Sequence, residues 1–467
     1  PYAHDLAQMT VWIGWLQWIK FNGFGSPQDP ILRPMEGNFQ CKDAILDLSD
    51  PANPKEPEWP KVDFIVGNPP FLGGKMLRRE LGDDYVNPMF EAWKNRVAAE
   101  ADLCCYWFEK ARAHIEKGTC QRAGLLATQG IRGGANREVV KRIKETGDVF
   151  WAVSDQDWIL DGANVHVSLI AFDGGVEETR ILDGQEVSTI NANLTATADT
   201  TQATAITDNL NLTFMGTTKG GAFDIEETKA MEFLCAPNPH GRPNSDVVAP
   251  WVNGMDLTQR SKGKWIVDFG VGVSEEVAAK YEVVFEYVRG EIKPDREKNA
   301  RESYRRLWWQ HVEARPAMRD ALAPCPRFLC TCRVSKYRIF VWLTAPTLPD
   351  SAVFAFARSD DYFLGMLHSR LHEVWALAQG TQLREKESGF RYTPTTCFET
   401  FPMPTSTGDQ EKIIAEAAKE LNELRERWLN PPEWTKEEVL EFPGTVDGPW
   451  NRYIAKDTSE DRGSFKV

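Results

Sequence analysis

The chain has 467 residues, 42% hydrophobic and 26% charged, the composition of folded globular proteins, and it exceeds the length of one typical core, so two or three domains are expected. No apolar run approaches the roughly 20 residues of a membrane span, and the nine cysteines include no CxxC pair, so neither a zinc framework nor a regular disulfide framework is indicated and a reducing cytoplasm is the expected compartment. A formal charge of −14 argues against nucleic acid as a partner of the whole surface, although the distribution of charge says more than its sum.

In chain order, Leu6, Met9, Ile13 and Leu16 recur at helical spacing within the first twenty residues, which predicts a helix. Short apolar runs then alternate with helical stretches to about residue 175, the pattern of an α/β unit with a mainly parallel sheet. The clearest strand is 62–66, which runs into Gly67, Asn68 and two prolines that cannot continue a ladder. A helix is expected over 101–115, a strand over 123–128, a helix over 136–143 and a strand over 165–172. Gly174 and Gly175 close this block, and a domain boundary is placed near 175. The second block, to about 405, mixes β-like runs at 265–269, 328–332 and 339–343 with a helix at 362–377, and reads as α+β. A helical pattern over 410–429 opens a C-terminal extension, 406–467, that turns acidic and irregular.

Chemistry concentrates at Ile65-Val66-Gly67-Asn68-Pro69-Pro70-Phe71. An exocyclic amine on an aromatic base is a poor nucleophile because its lone pair is delocalised into the ring. Acceptors aimed at the amino hydrogens localise that pair. The Asn68 side-chain oxygen and the Pro69 carbonyl supply two such acceptors, and the proline rings hold them in place beforehand. Phe71 offers a flat face for a base flipped out of its stack. The plainer alternative is that the two prolines merely end a strand, with Asn68 starting a turn.

The motif resembles that of class I S-adenosylmethionine-dependent amino-methyltransferases, and its NPPF form resembles the adenine-N6 DNA type. GNPPFLGG, ADLCCYWFEKA, GLLATQGIRGG and SDQDWILDGANVHVSLIAF, in that order, resemble the type IIL (MmeI-like) restriction-modification methyltransferases. WVNGMDL, KWIVDFG, FEYVRGEIKP, PRFLCTCRVSKYRIFVWL and YTPTTCFETFP resemble the target-recognition region of that family, so the resemblance runs over about residues 1–430. It implies a Rossmann-like sheet over 1–175, a target-recognition domain over 176–405, S-adenosylmethionine as methyl donor and double-stranded DNA as partner. It also implies Asn68, Pro69, Pro70 and Phe71 as the catalytic motif, with Asp43, Asp102 and Asn68 on the cofactor side; Phe108 falls in the same helical motif as Asp102.

One departure concerns the start of the chain. The family's Gly-rich cofactor turn and the acidic residue that holds the ribose have no counterpart here, so the sheet is expected to be incomplete at its N-terminus. Both features are expected upstream of Pro1 in a longer parent protein, where the family also places a nuclease. The glycine pairs Gly73-Gly74 and Gly133-Gly134 do not open a helix after a strand with an acidic partner, and are read as loop glycines, with 131–134 shaping the site's rim.

From Lys293 to Arg338 twelve basic residues outnumber the acids, interleaved with Tyr304, Trp308, Trp309, His311 and Tyr337, a local basic patch with stacking faces suited to DNA. Arg305, Arg306, Arg333, Lys336 and Arg338 are the expected DNA contacts, and arginine to guanine is one such contact. A solvated helix face is the plainer reading of 293–306. Cys325 lacks the context of a nucleophile. His368 and His372, at i and i+4, lack a third ligand and are read as structural, and no metal is expected. Two other functions stay open: an amino-methyltransferase acting on RNA or protein glutamine, and a DNA-recognition fragment without complete catalysis.

Overall fold

A computed structural model describes residues 2–25, 37–50, 52–160, 163–196, 200, 203–382, 389–440, 442–443 and 451–456, so most of the acidic stretch after 443 lies outside the described residues. The chain divides into two compact units, 1–199 and 200–467. Among the described residues no helix is long and apolar enough to cross a membrane.

The first unit begins with α1 (Tyr2–Phe21), and its sheet is built from β1 (Phe64–Gly67), β2 (Arg122–Thr128), β3 (Asp148–Leu160), β4 (Ala163–Asp173), β5 (Arg180–Leu182) and β6 (Gln185–Val187). The strand order is β1-β2-β4-β3-β5-β6. β1 runs parallel to β2, whereas β4 is antiparallel to both β2 and β3, so the sheet is mixed rather than mainly parallel. The short β5–β6 ribbon, beyond residue 175, adds to the same sheet by pairing β5 with β3.

Helices α2 (Leu77–Leu81), α3 (Asp83–Ala92), α4 (Cys104–Glu116) and α5 (Gly134–Thr146) fill the connections. One face of the sheet packs beneath α4 and α5, with Phe108 stacked on Phe172 and Ile45, Trp93, Tyr106 and Val140 fully buried. The opposite face is open along the edge strand: Phe64 is 62% exposed and Val66 is 85% exposed. α1 forms as its spacing predicts, but Leu6, Met9 and Ile13 are exposed.

The second unit holds β7 (Thr213–Met215), β8 (Asp224–Ile225), β9 (Val248–Val252), β10 (Trp265–Val267), β11 (Arg327–Cys332), β12 (Val334–Ser335), β13 (Val341–Thr344), β14 (Leu348–Pro349), β15 (Val353–Phe356), β16 (Thr381–Gln382) and β17 (Phe390–Arg391). They form sheets of order β14-β9-β10-β8, β13-β11-β15-β7 and β12-β17-β16, with helices between them, as an α+β unit. The expected helix over 362–377 is two helices, Asp361–His368 and Arg370–Gln379. Ser369 separates them: its backbone is extended, and its hydroxyl accepts the His372 N–H, capping the second helix. The helix Gly408–Leu429 carries a complete capping box from Thr407 and Gln410.

Candidate active site and nucleic-acid surface

The first unit places its chemistry where β1 ends against the middle of β2, with Gly67 in register with Leu125 and β2 running on to Thr128. Asn68, Pro69, Pro70 and Phe71 leave β1 at that point; Pro69 is buried, Phe71 half-buried, and Asn68 and Pro70 exposed. A hollow of about 430 Å³ opens beside them, walled by Val66, Asn68, Gly124, Leu126, Trp151 and Trp158. Its lining is mainly apolar and its outer wall aromatic, so a planar ring fits there with Asn68 as the polar group at the edge.

The loop after Phe71 is tightly fixed. Leu103 N–H donates to the Leu72 carbonyl at 2.8 Å, and Gly74 N–H donates to Asp102 Oδ1 at 3.0 Å. A Cβ at Gly74 would stand 2.1 Å from the Glu100 carbonyl oxygen, so only glycine allows this approach. Asp102, expected near the cofactor, thus braces the loop that follows the motif. Asp43 likewise builds its own turn, with Oδ1 accepting the N–H groups of Ile45 and Leu46 at 2.9 Å each. Its Oδ2 accepts the Tyr85 hydroxyl at 2.7 Å. Burial and the Asp43 carboxylate both push the Tyr85 hydroxyl above its ordinary range, keeping it a donor.

Beneath this floor lies an ionic hub absent from the sequence reading. Glu109, fully buried on α4, accepts from Arg96, Arg112 and Arg142 at 2.8–3.2 Å. Burial pushes its carboxyl upward, and the bonds from Arg112 and Arg142 outweigh that effect and hold it below the ordinary value. Lys110, also buried, pairs with Glu56 at 3.0 Å. Nothing in the spacing of the sequence pairs residues 56, 96, 109 and 142.

In the second unit the basic run separates into two populations. Arg296 is buried and donates to the carbonyls of Lys219 and Gln310 at 2.9 and 3.0 Å. Arg319 pairs with Asp268 at 2.6 Å, and Arg327 lies over Trp342 at 4.0 Å. Trp308, Trp309 and His311, expected as stacking faces, are core residues, with His311 Nε2 at 2.9 Å from the Val267 carbonyl. These groups are consumed by the fold.

Arg305 and Arg306 are exposed at the end of a short helix, Glu302–Arg306, where Arg305 also ties back to the Asn299 and Ala300 carbonyls. Arg333, Lys336 and Tyr337 line an open groove together with Asn253, Met255 and Ser335, and Tyr337 is 72% exposed. Among the described residues no carboxylate lines that groove, so these residues form a locally cationic surface with an aromatic rim on an acidic protein. Arg338 is turned the other way. Its guanidinium donates to Thr331 Oγ1 at 3.1 Å and to the Cys332 and Phe390 carbonyls, and it packs between Phe390 and Tyr392 at 4.7 and 5.0 Å from the ring centres. It ties the end of β11 to β17 on either side of residues 333–337.

His368 and His372 are held by hydrogen bonds to backbone groups and to Tyr392. His372 Nδ1 donates to the Leu367 carbonyl at 2.9 Å, and Nε2 faces the Tyr392 hydroxyl at 3.0 Å. His368 Nε2 accepts the Phe340 N–H at 3.1 Å. Among the described residues no group of His, Cys, Asp or Glu is placed to hold a metal ion.

Comparison with known proteins extends this geometry. The family described as MmeI, DNA-methyltransferase domain, matches residues 2–183, and the family described as MmeI, target recognition domain, matches 274–405. DNA methyltransferase A of Bacillus subtilis (strain 168) is 22% identical over 457 residues, covering 91% of this chain and 48% of that protein. The type IIL restriction-modification enzyme MmeI, solved in complex with DNA, aligns with a TM-score of 0.62 at 18% identity over 79% of this chain and 50% of that one; at this identity the likeness is one of fold. The chain spans about half the length of the relatives it matches.

Proposed function

The chain belongs to the MmeI family of DNA methyltransferases, by its methyltransferase and target-recognition domains, and from that premise we propose that it methylates adenine N6 at specific sites in duplex DNA, within a type IIL restriction-modification or phage-defence system. The observation that carries this reading is the delivery of Asn68-Pro69-Pro70-Phe71 by β1 to the rim of an apolar hollow walled by Trp151 and Trp158. There the Asn68 side-chain oxygen and the Pro69 carbonyl accept the two amino hydrogens of the flipped base, drawing its lone pair out of the ring. Phe71 stacks against that base. The groove carrying Arg333 and Lys336, with Arg305 and Arg306, is the proposed DNA contact, and Arg338 holds the groove's loop in shape.

S-adenosylmethionine, when bound, supplies the methyl group. Asp43, Asp102 and Asn68 are the residues proposed on its side, but the Gly-rich turn and the ribose-binding acid of such sites have no match in this sequence. The residues present therefore fit the amine half of the site better than the donor half. The exposed edge of β1, with Phe64 and Val66 uncovered, favours a second reading in which this chain recognises DNA and needs a further segment to complete catalysis.

Methyl transfer to duplex DNA from labelled donor tests the proposal, with this chain and with a longer natural chain containing it. N6-methyladenine is the expected product, and Asn68→Ala is expected to lower the rate about 100-fold or more while DNA binding persists. N4-methylcytosine as product, or methylation of RNA or protein glutamine in preference to DNA, sinks the specific assignment.

A further inference from the structure

Asn136 is the third residue of α5, whose N-cap is Gly133, a residue that makes no side-chain cap. A polar side chain in a helix's first turn ordinarily satisfies that helix's own N–H groups. Asn136 instead reaches out. Its Oδ1 accepts the Asp102 N–H at 2.7 Å, and its Nδ2 donates to the Gly130 carbonyl at 3.3 Å. Asp102 passes the link on through Oδ1, which accepts the Gly74 N–H, and its neighbour Leu103 donates to the Leu72 carbonyl.

One half-buried amide thereby joins three loops: 72–74 directly after Phe71, 101–103 at the head of α4, and 128–130 at the end of β2. The packing is close at both glycines, against backbone at Gly74 and against side chains at Gly130. A Cβ at Gly74 would collide with the Glu100 carbonyl at 2.1 Å, and one at Gly130 would lie 3.3 Å from Thr128 Oγ1 and 3.4 Å from Asn136 Nδ2.

We propose that Asn136 is a positioning residue for methyl transfer, which through Asp102 fixes the loop after Asn68–Phe71 and so the aim of the two acceptors. This rests on the reading of residues 68–71 as the amine site. An acceptor pair preorganised for a planar amine is sensitive to small displacements, and a shift of about 1 Å costs on the order of 100-fold in rate.

The test uses the full-length protein with duplex DNA. Asn136→Ala is expected to lower kcat about 100-fold, to leave the Kd for DNA within about twofold, and to speed amide exchange across 71–76 about tenfold. Gly74→Ala, which leaves Asn136 in place but forces the loop off Glu100, is expected to show the same split between kcat and DNA affinity. A lowered Tm with kcat per folded molecule unchanged, or unchanged exchange across 71–76 in Asn136→Ala, overturns the proposal. Faster exchange across 71–76 in a protein whose unmutated form methylates no duplex DNA upholds the three-loop clasp and rejects the amine-site reading instead.

Discussion

Lys336 and Arg338 stand two positions apart in one loop and are put to opposite uses. Lys336 is exposed on the groove, so Lys336→Ala is expected to weaken DNA binding for every sequence alike and to reduce the slope of log K against log salt by about 1. Arg338→Ala is expected to cost about 2 kcal/mol of stability in denaturant unfolding, because the Thr331, Cys332 and Phe390 oxygens lose a charged donor. A third residue gives a pH dependence. Burial lowers the His372 pKa to about 4, against the opposing effect of its bond to the Leu367 carbonyl. In the neutral ring Nδ1–H donates to Leu367 and Nε2 accepts from Tyr392, an arrangement that protonation breaks. The unfolded chain takes up the proton near pH 6.5 and the folded chain only near 4, so this contribution is complete above 6.5 and declines as the pH falls towards 4, by as much as about 3 kcal/mol. Thermal unfolding between pH 7.5 and 5 checks it, with His372→Gln expected to flatten the decline.

At the scale of elements, α4 is held to its surroundings by a buried carboxylate, and the direction of its shift fixes another outcome. Glu109 has a depressed pKa, so the stability it contributes is present above its ordinary value near 4.5 and is lost as the pH falls through the folded value. Glu109→Gln at neutral pH leaves Arg96, Arg112 and Arg142 facing an uncharged group and is expected to cost about 3 kcal/mol, measured by urea unfolding. The same elements show why some of the fold was legible and some was not. β1, β2 and β4 announce themselves as apolar runs. β3 does not: its pairing with β4 shifts register between Val149 and Trp151 and again between Val153 and Gln156, so inward and outward positions change places and the period of two disappears from the sequence. The pair of helices around Ser369 is hidden for the opposite reason, since one helical period continues across a one-residue break. In the site, Asn68-Pro69-Pro70-Phe71 is legible because its chemistry is contiguous, whereas Gly74, Asp102 and Asn136 come from three segments that only folding unites. Composition likewise cannot tell an arginine spent on carbonyl groups, such as Arg296 or Arg338, from one left facing solvent, such as Arg306.

Across the whole molecule, a net charge of −14 repels DNA at long range and salt screens that repulsion, so the fall of affinity with salt is expected to be set by the few cations of the local groove. The first unit's sheet ends on β1, an edge strand with exposed Phe64 and Val66, and such an edge invites a further strand. A longer natural chain that completes the donor half is expected to slow amide exchange in 64–67 relative to this chain, by tenfold or more if the new strand is stably paired (~1.4 kcal/mol); equal exchange in the two would leave that edge without a partner. The buried guanidinium of Arg338 has a last consequence. Because the 333–337 loop is held by a tie between β11 and β17, its outer side chains can be exchanged without dismantling it. If the groove meets DNA as proposed, substitutions of Arg333 and Tyr337 are the ones expected to change which sequences are bound, with the fold of this unit unchanged.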